Sequence, residues 1–114
     1  MRIRNTTRGT ELADKARHAS SYWSRLVGLL GRSSLAPGEA LLLEPCSSIH
    51  TAFMRFAIDV VYVDTSGQVA KVVPALKPFR ASGMVRGAHS VIELPSGTIA
   101  STGTVVGDQI AFES

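Results

Sequence analysis

The strongest strand signal along the chain is the apolar run AIDVVYVD, from Ala57 to Asp64, rich in β-branched residues and broken by polar Asp59. With Thr65-Ser66-Gly67 as its turn it leads into QVAKVVPAL, a predicted β-hairpin. Upstream, Pro37-Gly38 marks a turn, and ALLLE reads as a short buried strand that Pro45 ends. Downstream, Pro74, Pro78 and the Gly83 to Gly87 stretch read as a looser connection before the strand HSVIEL. Pro95-Ser96-Gly97 then opens TIASTG, one or two helical turns stopped by Gly103, and Gly107-Asp108 delivers the chain to a last strand, QIAFES. At the start, RIRNTT and TELADKARHA suggest two edge-like strands around the Arg8-Gly9 turn, although Ala, Glu and Lys give the second some helical character.

The main helix is predicted from Ser21, a good N-cap, to Gly31. Within it Trp23, Leu26, Val27 and Leu30 recur at intervals of three and four, and Trp23 is the expected anchor of the buried face. Gly28 inside this helix costs about 1 kcal/mol relative to Ala, which points to another backbone passing close by. Strands dominate and no long helices separate them. The expected architecture is therefore a small α+β domain with a mostly antiparallel, partly rolled, barrel-like sheet, one main helix in the N-terminal half and a short one near the C-terminus.

A chain of 114 residues suits a single domain, 1–114, and 45% apolar against 18% charged residues argues against disorder. The single Cys46 excludes an internal disulfide and a thiolate-rich zinc site, as expected in a reducing compartment. The first residues lack the apolar core of a signal peptide, and no run is long enough to span a bilayer, so the expectation is a cytoplasmic protein without membrane partners. The net charge of +3 comes from the first 32 residues, with seven basic and two acidic side chains. Only Tyr22 and Trp23 offer stacking surfaces there, and the excess reads as a solvated basic surface rather than a nucleic-acid site.

Several separate blocks carry a resemblance. They are Ala19, Ser21, Arg25, Gly28 and Leu29; Gly38 with ALLL; CSSIHTAFMRFAIDVVYVD; VIELPSGTIASTG; and VGDQI. In these blocks, which span nearly its whole length, the chain resembles the domain-of-unknown-function 192 family. That resemblance implies a compact strand-rich fold and a set of recurrent positions, but no reaction. The chain departs from the family pattern at Ala57, where a proline often precedes the Ile-Asp pair, and in lacking the export segment that many members carry.

The chemistry-bearing residues gather between Cys46 and Asp59. Asp59 enters an apolar strand, where an isolated carboxylate is costly. It is expected either to accept hydrogen bonds from amides of the preceding loop, or to pair with Arg25 or Arg55, or to orient His50. Cys46, His50 and Asp59 are the parts of a thiol nucleophile, its base and an orienting group, but no nucleophile signature or oxyanion hole accompanies them. The same residues with His89 could hold zinc, without any paired-ligand motif to support it. Met54, Phe53 and Phe56 beside Arg55 suit an adaptable apolar pocket for a small polar or anionic molecule, although core filling is their ordinary role. The reading is a non-enzymatic domain that binds a small molecule or a partner's chain end through Cys46, His50, Thr51, Met54, Arg55 and Asp59, with no cofactor. A Cys/His/Asp hydrolase or thiol enzyme, and an interaction module using a sheet edge, are the alternatives.

Overall fold

The computed structural model describes residues 1–19, 35–46, 49–50, 56–78 and 80–114, with residues 19, 49–50 and 81–82 described through their backbone. The expected helix from Ser21 to Gly31, with Trp23, lies outside the described residues. The first of two larger sheets holds β1 (Arg2–Asn5), β2 (Thr10–Ala13) and β10 (Ile110–Glu113), in the order β10-β1-β2. The second holds β3 (Lys15–Ala19), β4 (Glu39–Leu43), β6 (Ile58–Asp64), β7 (Val69–Leu76) and β9 (Ala88–Pro95), in the order β3-β4-β9-β6-β7. A short pair joins β5 (Ile49–His50) to β8 (Ala81–Ser82), and one helix among the described residues, α1, spans Thr98–Thr102.

The hairpin β6–β7 forms as predicted. Asp64 Oδ1 accepts the amides of Ser66 and Gln68, and Gly67 turns with φ 83°. A side chain at Gly67 would be strained at that φ and would stand 3.2 Å from the Ile110 carbonyl oxygen. The short helix ends as read, with Gly103 in the left-handed region at φ 70°.

Three expectations need correction. The predicted second strand is two strands, β2 and β3, broken at Asp14, and β1 lies in the middle of its sheet rather than at an edge. Strands β3 and β4 pair in parallel, Lys15 opposite Glu39 through Ala19 opposite Leu43. A parallel pair needs a crossover of a dozen residues or more, and residues 20–38 supply it, so the segment read as a lone helix connects two strands of one sheet. Finally, the sheets do not close into a barrel. They are joined instead where Gly67–Val69 meets Gly107–Ile110, through Val69 N–H to the Asp108 carbonyl at 2.8 Å, Gly107 N–H to the Val69 carbonyl at 2.8 Å and Ile110 N–H to the Gly67 carbonyl at 2.8 Å.

The five-stranded sheet is buried on both faces along its centre. One face packs Ala40, Leu42, Val61, Val63, Ile92 and Leu94 against the three-stranded sheet and Ile99 of α1. The other carries Leu41, Leu43, Ile58, Val60, Tyr62 and Val91. Strands covered on both sides read as nearly continuous apolar runs, which is why ALLL and IDVVYV look alike. Edge strand β7 contains Pro74, which the sequence assigned to a loop; an edge tolerates a residue with no N–H to donate.

Candidate functional site

Asp59 is 1% exposed at the start of β6. Opposite it β7 bulges, since Ile58 faces Leu76 and Val60 faces Val73, leaving Pro74 and Ala75 against one residue. Ala75 sits in the left-handed region at φ 51°, and its amide donates to Asp59 Oδ1 at 2.8 Å. The other oxygen, Oδ2, accepts from Gly97 at 3.1 Å and Ile99 at 2.8 Å, at the beginning of α1. The amides at the start of α1 are thus occupied by the protein's own carboxylate. These donors come from β7, from the turn before α1 and from α1 itself, and among the described residues none comes from the loop that precedes Asp59. Arg25, Arg55, Thr51 and Met54 lie outside the described residues, and His50 is placed only through its backbone, in β5 against Ala81.

Cys46 follows β4, its amide held by the His89 carbonyl at 2.8 Å. Half-buried, it packs with Phe56 against the second face of the large sheet. Cys46 and Phe56 therefore meet the same surface, and that surface carries two buried polar side chains that sequence reading passed over. Tyr62 is 0% exposed, and among the described residues its hydroxyl has no hydrogen-bond partner. Burial, with smaller contributions from Cys46 and Glu93, pushes this phenol up to about 12. Glu93 is 6% exposed, between Leu41 of β4 and Val60 of β6. Burial alone pushes its carboxyl up to about 8, so it is mostly protonated at neutral pH. Tyr62 faces Val91 and Glu93 faces Val60, which makes the two side chains diagonal neighbours on one face. In the sequence, Glu93 alternates with Ile92 and Leu94 and so resembles an outward-facing residue. Only the double burial of the sheet reveals it.

A second buried polar group lies at the other end of the molecule. Asn5, 0% exposed, donates through Nδ2 to Asp108 Oδ2 at 2.9 Å and to Thr104 Oγ1 at 3.1 Å, while its own oxygen accepts the Arg8 amide at 3.0 Å. Arg8 Nε and the Val105 amide donate to the same Asp108 Oδ2, each at 3.1 Å. The Asn5 bond first, then the Val105 and Arg8 contacts, hold its pKa below the usual value despite burial. These bonds make the network a clasp between β1 and the β10 approach. Among the described residues no cluster of His, Cys, Asp and Glu has metal-site geometry, and no helix is long and apolar enough to cross a membrane.

Comparison with known proteins agrees with the blocks noted in the sequence. A UPF0127 protein of Pyrococcus furiosus is 31% identical over 114 residues, covering 95% of each chain. A UPF0127 protein of Thermococcus sibiricus is 30% identical over 116 residues, covering 96% of this chain and 73% of its own. A crystal structure of a protein of unknown function from Novosphingobium aromaticivorans superposes with a TM-score of 0.83 at 16% identity, over 97% of this chain and 82% of that one, a likeness of fold. Residues 3–112 match the DUF192 family, described as "Uncharacterized ACR", and the chain belongs to that family.

Proposed function

We propose that this protein is a non-enzymatic binding domain that holds a small polar or anionic ligand, or a partner's chain end, between the 46–59 segment and the second face of the large sheet. The observation that carries the reading is the buried Tyr62 hydroxyl, which has no hydrogen-bond partner among the described residues, on the face where Cys46 and Phe56 also pack. A buried hydroxyl left unpaired is costly, and a ligand atom is one way to satisfy it. In this reading Thr51 and Arg55 supply polar contacts to the ligand, Met54 and Cys46 its apolar wall, and His50 a further hydrogen bond. Asp59 serves as the fastening that fixes the start of β6 against the β7 bulge and α1.

Two observations favour binding over the alternatives. A hydrolase of the Cys/His/Asp kind needs Asp59 to orient His50, whereas both Asp59 oxygens already take backbone amides, three donors for about four lone-pair sites. Edge strand β7, the natural docking edge, carries Lys71, Pro74 and a bulge, features that blunt strand addition. Thermal denaturation across a panel of metabolites tests the proposal, because a ligand of the native state must raise its melting temperature. A compound that stabilises the parent and loses most of its effect on Tyr62→Phe is expected. Equal stabilisation of both proteins would refute the site.

A further inference from the structure

The two larger sheets present four edge strands, and three of them are guarded against strand addition. Strand β7 carries Lys71, Pro74 and the bulge, β3 exposes Lys15, Arg17 and His18, and β2 lies against α1, where Thr10 Oγ1 donates to the Thr102 carbonyl at 3.0 Å. Strand β10 has none of these devices. It reads Ile-Ala-Phe-Glu, pairs with β1 without a register shift and leaves Phe112 37% exposed. Its backbone directions are fixed by its neighbours. The Gln109 carbonyl accepts the Thr6 amide at 2.9 Å, on the β1 side, whereas the Ile110 amide turns the other way, to the Gly67 carbonyl at 2.8 Å. Alternation then aims the Phe112 amide and carbonyl away from β1 too, where among the described residues no further strand follows.

We infer that β10 is a self-association edge, pairing antiparallel with β10 of a second copy about a two-fold axis at Phe112. The inference is independent of the ligand reading, since β10 belongs to the other sheet. In this register the two Phe112 residues exchange both backbone hydrogen bonds, and their rings become cross-strand neighbours. Charge complementarity on the outer face selects the second copy as the occupant. Glu11 is engaged by Arg2, and among the described residues neither Arg4 nor Glu113 forms an ion pair. Arg4 lies beside Ala111, and the two-fold axis sets Glu113 of the second copy opposite that same alanine. The strands of Arg4 and this glutamate are then about 10 Å apart, a gap that their side chains can close over a methyl group, twice by symmetry. Other registers are worse. Centring the axis on Glu113 opposes two like charges, and centring it on Ala111 needs the Ile110 amide, which Gly67 already holds.

The test uses the full chain at about 0.15 M salt, where long-range attraction between net charges is screened. Sedimentation equilibrium from about 10 μM to about 1 mM should show a reversible dimer with Kd on the order of 0.1–1 mM, as so small a contact implies. Over that range hydrogen exchange at the Phe112 amide should slow about two- to fivefold, while edge amides of β3 and β7 keep their rates. Arg4→Glu and Glu113→Lys should each weaken self-association about tenfold, because each opposes like charges at both contacts, and an equimolar mixture of the two should restore it. A chain that stays monomeric at about 1 mM leaves the edge to another partner or to none, and overturns the inference. So would a dimer whose Phe112 amide exchanges at the monomer's rate, or a mixture that associates no better than either variant alone.

Discussion

Replacing Asp59 by Ala deletes one carboxylate and strips three amides of their acceptor. These are not equivalent. Ile99 is buried, and its amide left unpaired carries the full desolvation penalty, about 1–3 kcal/mol. Ala75 and Gly97 are exposed, so water can replace the carboxylate and each loses only a net hydrogen bond, about 1 kcal/mol. The sum is about 3–5 kcal/mol, a large fraction of the stability of a domain this size and about 12–20 °C in Tm. Asp59→Asn should cost less, about 1–2 kcal/mol, since one oxygen can still serve the Gly97 and Ile99 amides while the NH2 group faces Ala75. Ala75→Gly tests the other half of the arrangement. At φ 51° the alanine is strained, and glycine should be neutral or stabilise by up to about 1 kcal/mol. The assay is urea denaturation with the m-value compared across the series. An Asp59→Ala protein within about 0.5 kcal/mol of the parent would show that the carboxylate does not fasten β6 to α1.

Further outcomes follow from the buried polar groups. Glu93 has a folded-state pKa raised from 4.5 to about 8, so its contribution to stability is full below about pH 4.5 and is lost as pH rises toward 8. Denaturant midpoints should fall across that window with a slope of up to about 1.4 kcal/mol per pH unit, and Glu93→Leu should flatten the profile; an unchanged slope would contradict the burial of this acid. Asp108 behaves in the opposite sense. Its folded pKa lies below 3.8, so its stabilisation is present above that value and disappears as the pH falls through the folded pKa, a loss that Asp108→Asn should abolish. Asn5→Ala should cost about 2–3 kcal/mol, because Asp108 and Thr104 lose a buried donor, and a neutral result would mean that water can enter the clasp. Alkylation of Cys46 should be slow and insensitive to His50→Ala, while fast labelling that His50→Ala abolishes would revive the thiol-enzyme reading.

Local signals were the readable ones. The β6–β7 hairpin and α1 carry their instructions within a few residues, in the Asp64-to-Gly67 turn and the left-handed Gly103. The parallel β3–β4 pair was hidden because KARHA has mixed propensity and its partner begins 20 residues beyond its last residue, so nothing short-range announces it. Asn5 and Asp108 are 103 positions apart, and neither looks unusual alone. At the candidate site, the apolar context of Asp59 correctly marked a carboxylate drawn inward, but its donors sit 16, 38 and 40 residues away, where sequence cannot point. Glu93 escaped for a different reason. Alternation separates inside from outside only when one face of a sheet is wet, and here both faces are covered.

The place of β1 between β2 and β10 bears on how the chain matures during synthesis. Arg2–Asn5 leaves the ribosome long before Ile110–Glu113, yet these segments are direct neighbours. Until Ile110–Glu113 emerges, the early hairpin has a bare flank, and before Thr104 and Asp108 are made the Asn5 side-chain amide lacks both of its acceptors. The first sheet is consequently completed only when its most distant strand has been made, and a nascent chain stalled before Thr104 should remain open to protease at Arg2–Asn5.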